Sequence, residues 1–240
     1  MKIYFSIKTN KMNFLIQTIN GKVKHDFSFT LLESIEFQKW LRNDISFDVR
    51  FTDEITIPNY IPIGSVEFVS KYIYDYYGLI TKPKNIPIEL IGKKWTGRNV
   101  INGTEKDIIG EKFVKSNDKI KSFTEICKTA PKGNYQISEI IEIESEWRAF
   151  VFEGKLVGLK NYSGEFDIFP NVDKIKEMIN TYKTQPIAYT LDVAISNNDT
   201  VIIEIHDFFS CGLYGFSEHN ILPFMFSKWF FSFVYRKKIK

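Results

Sequence analysis

The sequence predicts an α+β protein with a mainly antiparallel C-terminal half. Three patterns predict it. Apolar residues recur at helical spacing in a few separate segments, alternate at period two in many more, and two pairs of strand-like segments are joined by short turns. The 240 residues suffice for one large domain or for two to three small subdomains around a real core. A hydrophobic content of 44% excludes a disordered chain.

The elements follow in order. Lys2 to Ser6 alternates and reads as a strand, and Phe14 to Thr18 as a second short one. Ser34 to Arg42 has helical spacing, with Ile35, Phe37, Trp40 and Leu41 able to share a face. Asp48 to Phe51 is strand-like. A Pro-containing approach then ends in Gly64-Ser65, where Ser65 caps a helix reaching Tyr77 and Gly78 stops it. The Lys82-Pro83-Lys84-Asn85-Ile86-Pro87 stretch is punctuation and marks a boundary. It divides an N-terminal α/β domain, 1–82, from a second domain, 83–240. Within the latter, 83–135 is a smaller lysine-bearing part and 136–240 a larger part.

The strand-like EKFVKS holds Lys115, and IKSFTEI holds Lys121. Tyr135 to Ile143 is predicted as a strand. Trp147 to Phe152 and Lys155 to Lys160 form a hairpin around Glu153-Gly154. Ile175, Met178, Ile179 and Tyr182 recur at helical spacing within Val172 to Tyr182. Ala188 to Ile195 and Thr200 to Ile205 are strands joined by Ser196-Asn197-Asn198-Asp199. Ile221 to Val234 reads as a buried helix rich in Phe and Trp. With Pro223, Ser227, Lys228 and Ser232 it is too short and too polar to span a membrane.

Charge and cysteine content narrow the function. With 32 basic against 29 acidic residues, the net charge of +3 is too balanced to indicate nucleic acid. The basic end, Arg236 to Lys240, reads as a solvated tail. Cys127 and Cys211 fit neither a zinc pattern nor a disulfide framework. The opening MKIYFSIKTN lacks the apolar run of a signal peptide. A cytoplasmic protein without a membrane partner is expected.

Four clusters carry chemistry, and they matter jointly. The first is cationic: Lys115, Lys121, Arg148 and Lys160. A triphosphate needs such groups in a partly dry cleft, although a single strand lysine is usually a solvated one. The second is Asp192 and Glu204 on adjacent strands. Two carboxylates side by side repel unless a cation lies between them, and Mg²⁺ demands hard oxygen ligands; surface carboxylates or lysine salt bridges are the alternative. The third is Glu204-Ile205-His206-Asp207, where alternation puts Glu204 and His206 on one face. A transition-metal site of Glu204, His206 and Asp207 is the softer reading, and a hydrogen-bonded structural histidine the plain one. The fourth is SEIIEIESEW, whose strand-end backbone at Glu139, Ile140 and Ile141 can pair with an adenine edge, with Glu146 accepting from ribose hydroxyls.

These residues resemble the ATP-grasp superfamily. ESEWRAFVFEGKLVGLKNY is similar to the family's hairpin pattern, and YTLDVAI with VIIEIHDFFSCGLYG to its closing metal-binding strands. More narrowly, IPIGSVEFV, FVKSNDKIKSFTE, EWRAF and EIHDFFSCGLYGF resemble a clade found in phages and bacteria and named for one arginine and two lysines. The resemblance spans roughly residues 60 to 217.

The resemblance implies an ATP-grasp fold, two α+β subdomains clasping nucleotide behind a small α/β domain, in a bacterial cell or phage-infected host. It implies ATP and Mg²⁺, with Mn²⁺ as a substitute, and ligation of a carboxylate to an amine or thiol through an acyl phosphate. The carboxylate and nucleophile are unknown, a peptide or protein among the candidates. Lys115 and Lys121 would contact nucleotide, with Arg148 at the phosphates; Arg148 and Lys115 would be catalytic, and Asp192 and Glu204 would ligate metal. The superfamily commonly has Asn as an extra metal ligand where this chain has His206, so His206 would take the ligand place, contact phosphate, bind a different metal or only support the site, and Asp207 would substitute as a ligand. Gly64, Ser65 and Glu67, where a loop meets a helix N-terminus, would face nucleotide or acceptor, or simply cap the helix. Rival readings are a nucleotide-binding module without turnover and a phosphotransferase of the same fold. Removal of the Lys115 or Arg148 side chain is expected to weaken ATP binding with little change in melting temperature.

Overall fold

The computed structural model describes residues 11–42, 45–55, 57–120 and 122–235. The strand expected at Lys2 to Ser6, Lys121 and the basic end lie outside them. The chain divides into two compact units, one of 80–216 and one of 1–79 together with 217–240.

The first unit begins with β1 (Lys11–Gln17), α1 (Asp26–Leu41), β2 (Ser46–Thr52), β3 (Ile61–Ile63) and α2 (Val66–Tyr77). Its three strands form a parallel sheet in the order β2-β1-β3. Phe14, Leu15 and Ile16 of the central strand are fully buried. The Ser65 hydroxyl accepts from the Phe68 amide at 3.2 Å, and Gly78 ends α2 in the left-handed conformation. At this helix start, the Ser65 amide donates to Gln17 Oε1 at 2.7 Å. A Cβ on Gly64 would lie 2.5 Å from the same oxygen, so glycine lets strand and helix close together.

The second unit holds α3 (Lys93–Thr96), β4 (Val100–Thr104), β5 (Lys112–Ser116), β6 (Thr124–Cys127), β7 (Asn134–Ser138), β8 (Ser145–Phe152), β9 (Lys155–Gly164), α4 (Val172–Thr181), β10 (Ala188–Ser196) and β11 (Asp199–Asp207). They build two four-stranded antiparallel sheets, a small one ordered β4-β7-β5-β6 and a large one ordered β11-β10-β8-β9. Glu153-Gly154 and Asn197-Asn198 turn the two hairpins of the large sheet with positive φ at both central residues. This is the geometry that matches strand twist. One face of the large sheet is apolar: Trp147, Ala149, Val151, Leu191, Val193 and Ile205 pack with Ile175, Met178 and Ile179 of α4. Alternation leaves the opposite face to the chemistry.

The segment before β4 ties the two sheets together. The Ile205 amide donates to the Asn85 carbonyl at 2.9 Å, and Asn85 Nδ2 donates to the Ser116 carbonyl at 3.0 Å. Gln136 of β7 exchanges hydrogen bonds with the Ile86 backbone, and the buried Arg98 donates to the Ile202 carbonyl at 3.1 Å.

The last helix, α5 (Leu222–Tyr235), groups with the first unit. The expected division gave 83–240 to one domain. The difference has a physical reason. Ser34 and Gln38 of α1 hydrogen-bond His219 at 2.8 Å each, and Phe230 of α5 packs its ring against Tyr72 and Tyr77 of α2. No described helix is long and apolar enough to cross a membrane.

Candidate functional site

The register of the large sheet aligns four charged residues on one rung. Glu204 of β11 pairs with Asp192 of β10, Asp192 with Arg148 of β8, and Arg148 with Lys160 of β9. All four therefore share the face away from α4. Two carboxylates occupy one end of the rung and two cations the other. Glu146 and His206, each two residues from a rung member, share that face.

The interior of the rung is a buried ion pair. Arg148 and Asp192 are only 7% and 1% exposed. Arg148 Nε and one terminal nitrogen donate to the two Asp192 oxygens at 2.8 and 2.7 Å, and the other terminal nitrogen donates to the Gly212 carbonyl at 3.0 Å. Burial by itself would lower the guanidinium pKa, but Asp192 outweighs it and raises it. The expectation that removing Arg148 changes the melting temperature little does not fit this buried pair. Removal would strand a buried carboxylate, a loss of about 3–5 kcal/mol.

The outer carboxylate meets groups from two directions. Lys115, reaching from β5 of the small sheet, donates its ammonium to Glu204 Oε2. His206 Nε2 donates to Glu204 Oε1 at 2.7 Å and lies 3.9 Å from Asp192 Oδ2. Burial pushes the Glu204 carboxyl up, yet His206 and then Lys115 hold it well below the usual carboxylate range.

A divalent cation fits this donor set. One atom each from Asp192, Glu204 and His206 lie within 4.8 Å of one another. Asp207, also expected to supply a ligand, is not in that group. Odd numbering on β11 turns it to the opposite face, where Lys84 Nζ is 3.7 Å from its carboxylate.

The expected adenine segment, Glu139 to Ile141, lies in the link between β7 and β8, because β7 ends at Ser138 rather than continuing to Ile143. Glu139 holds this link to β4's approach: its carboxylate accepts from the Asn99 amide at 2.9 Å and from Asn99 Nδ2 at 2.8 Å. Burial first and then Asp192 push the Glu146 carboxyl upward, against hydrogen bonds from Ser163 and Tyr162.

Two residues at the rung escaped the sequence reading. Tyr162 and Tyr214 stack at 5.0 Å with 19° between their planes, and the Arg148 guanidinium lies 5.6 and 5.0 Å from their ring centres. Burial, and next the nearby Asp192, push the Tyr162 hydroxyl pKa upward. Strand alternation from Lys160 points to Tyr162. Tyr214, in a turn at φ +49°, has no periodic signal.

A family model described as ATP-grasp domain, R2K clade family 2, matches residues 95–223, more than half of the chain and all of the rung. The chain belongs to this ATP-grasp family. Its members are ATP-dependent ligases, and the chain is an enzyme of that kind. Solved structures agree on the ATP-grasp fold. A RimK domain ATP-grasp protein from Sphaerobacter thermophilus is similar at 9% identity and TM-score 0.54, over 90% of this chain and 98% of that one. D-alanine–D-alanine ligase from Bacillus anthracis is similar at 9% identity and TM-score 0.50, over 95% and 98%. N5-carboxyaminoimidazole synthetase from Staphylococcus aureus, solved with ADP, is similar at 10% identity and TM-score 0.52, over 89% and 77%. No curated protein matches the chain.

Proposed function

We propose that this ATP-grasp chain uses ATP and Mg²⁺ to phosphorylate a substrate carboxylate and then joins the resulting acyl phosphate to an amine or thiol. The observation that carries the reading is the rung: two acids and two cations in register on one sheet face, with Lys115 arriving from a second sheet. Phosphoryl transfer between two anions asks little acid–base chemistry of a protein. It asks for alignment and for positive charge where negative charge develops.

In this reading Lys115 and Arg148 act at the phosphates, joined by Lys160 and by Lys121. Asp192, Glu204 and His206 would hold the metal, which supplies charge neutralisation of the phosphates. The backbone of Glu139, Ile140 and Ile141 lines the adenine side, and Glu146 accepts from the ribose. The adenine role falls to backbone because the Glu139 carboxylate is engaged with Asn99. The stacked Tyr162 and Tyr214 rings, 5.6 and 5.0 Å from the Arg148 guanidinium, are close enough to attract it as a cation. A peptide or a protein is among the candidate acceptors, and the setting is the cytoplasm of a bacterium or phage-infected host.

The test is turnover with product analysis. Candidate carboxylates and amines are incubated with ATP, Mg²⁺ and the full chain, and ADP release is followed together with product mass. An amide or thioester formed with one ADP per bond supports the ligase. A phosphoester product contradicts it and assigns a phosphotransferase. Tight ATP binding with no ADP release across a broad acceptor panel favours a binding module. The full engagement of Arg148 by Asp192 and Gly212 is the observation on that side.

A further inference from the structure

We propose that His206 makes this a site for a first-row transition ion, Mn²⁺ in preference to Mg²⁺, bound through the imidazole nitrogen together with Asp192 and Glu204. The inference rests on the metal–nucleotide reading of the rung and names the metal that reading leaves as Mg²⁺.

The geometry is specific. His206 Nε2 points at the acids and not away from them, 2.7 Å from Glu204 Oε1 and 3.9 Å from Asp192 Oδ2. The three donor atoms come from adjacent strands of one sheet, whose ladder fixes their spacing. His206 is paired across the ladder with Thr190 and follows Glu204 by two residues, so it cannot leave this face without a register slip. The side chain is about a third exposed, which leaves an ion room for further ligands from a nucleotide or water.

The chemistry then discriminates between ions. Mg²⁺ demands oxygen ligands in near-ideal octahedral geometry and is poorly served by an imidazole. First-row ions gain from a nitrogen ligand, increasingly so along the series from Mn²⁺. Two carboxylates keep the set oxygen-rich enough for Mn²⁺, and one nitrogen tips it away from Mg²⁺. A metal bond at Nε2 requires that this nitrogen carry no proton, so the hydrogen bond to Glu204 would give way to the metal and any ring proton would sit on Nδ1. Lys115, the other partner of Glu204, bonds Oε2 and leaves Oε1 for the ion.

The test uses the full chain with a non-hydrolysable ATP analogue and the free metal ions as probes. Pulsed electron paramagnetic resonance of bound Mn²⁺ reads nitrogen coupling directly. Calorimetry gives the ratio of Mn²⁺ to Mg²⁺ dissociation constants. The wild type is expected to show imidazole nitrogen coupling and to favour Mn²⁺. His206→Asn, which offers a carbonyl oxygen instead, is expected to lose the coupling and to lose the Mn²⁺ preference by about tenfold or more. Loss of a residue that merely supports a metal ligand already costs roughly 10–100-fold. Mn²⁺ bound without nitrogen coupling overturns the inference and leaves the metal–nucleotide reading standing. Absence of any Mn²⁺ or Mg²⁺ binding with the analogue overturns both. A melting curve of His206→Asn matching the wild type ties the lost coupling to the missing ligand.

Discussion

The two sheets of the second unit use their charges differently. In the small sheet, acids sit on the surface and hold their own loops. Asp107 accepts from the Thr104 amide at 2.7 Å, Asp118 from the Asn134 amide at 3.0 Å, Glu105 from the Gly133 amide at 3.1 Å and Glu139 from Asn99. Its buried core is little more than Val114, Tyr135 and Ile137. In the large sheet, all nine residues of β10 are buried, and the acids turn to cations inside the sheet face. A carboxylate that caps a turn needs only an amide that the turn already exposes. A carboxylate buried in a strand must be matched by a cation delivered from elsewhere. The small sheet is thus built to present Lys115, and the large one to hold a charge pattern in register.

This contrast predicts effects of different size. The largest belongs to the large sheet. Arg148→Ala and Asp192→Ala should each cost about 3–5 kcal/mol in chemical denaturation, since each strands a buried charge. The double variant should cost less than the sum of the two. Full additivity would show that the pair is not the coupled unit described here.

Lys115→Ala should come next. It removes a charge-assisted bond whose partners keep some exposure, so a stability loss of about 2 kcal/mol is expected. Affinity for an ATP analogue should fall by about tenfold, which is about 1.4 kcal/mol. Unchanged affinity in a titration would remove Lys115 from the nucleotide site.

The smallest effect is acid loosening of the small sheet. Hydrogen bonds from amides hold the Asp107, Asp118 and Glu139 carboxyls below their ordinary values. With folded pKa values under the unfolded ones, their contribution is complete above about pH 4 to 5 and declines as pH falls through the lowered folded values. Exchange protection of the Asn134 and Asn99 amides should drop in that acid range, ahead of the β10 amides. Simultaneous loss in both sheets would erase the distinction between them.

Much of the large sheet was legible in the sequence, for a physical reason. Short turns at Glu153-Gly154 and Asn197-Asn198 fix hairpin register, and register fixes which side chains stand opposite one another. The turns alone would set Asp192 opposite Ile203 and Arg148 opposite Leu159; a bulge in each hairpin shifts the partners to Glu204 and Lys160, and no turn residue signals it. Other features obey no local rule. Ile140 and Ile143 continue an apolar alternation past Ser138, but they are exposed, because β7 has ended. The start of α1 was missed because Ser28, Ser34 and Gln38 are buried among its apolar residues and blunt the helical pattern. Asp207 reads as one of an acidic cluster in sequence, while strand alternation sends it to the other face. The C-terminal helix joins the first unit through tertiary contacts that no linear pattern carries.

The most direct test of the rung as a metal–nucleotide site is calorimetric titration of a non-hydrolysable ATP analogue into wild type and Glu204→Gln, with and without divalent cation. In the wild type, adding Mg²⁺ or Mn²⁺ should tighten binding by about tenfold or more, while Glu204→Gln should bind equally weakly with and without the ion. The same metal dependence in both proteins would contradict the account.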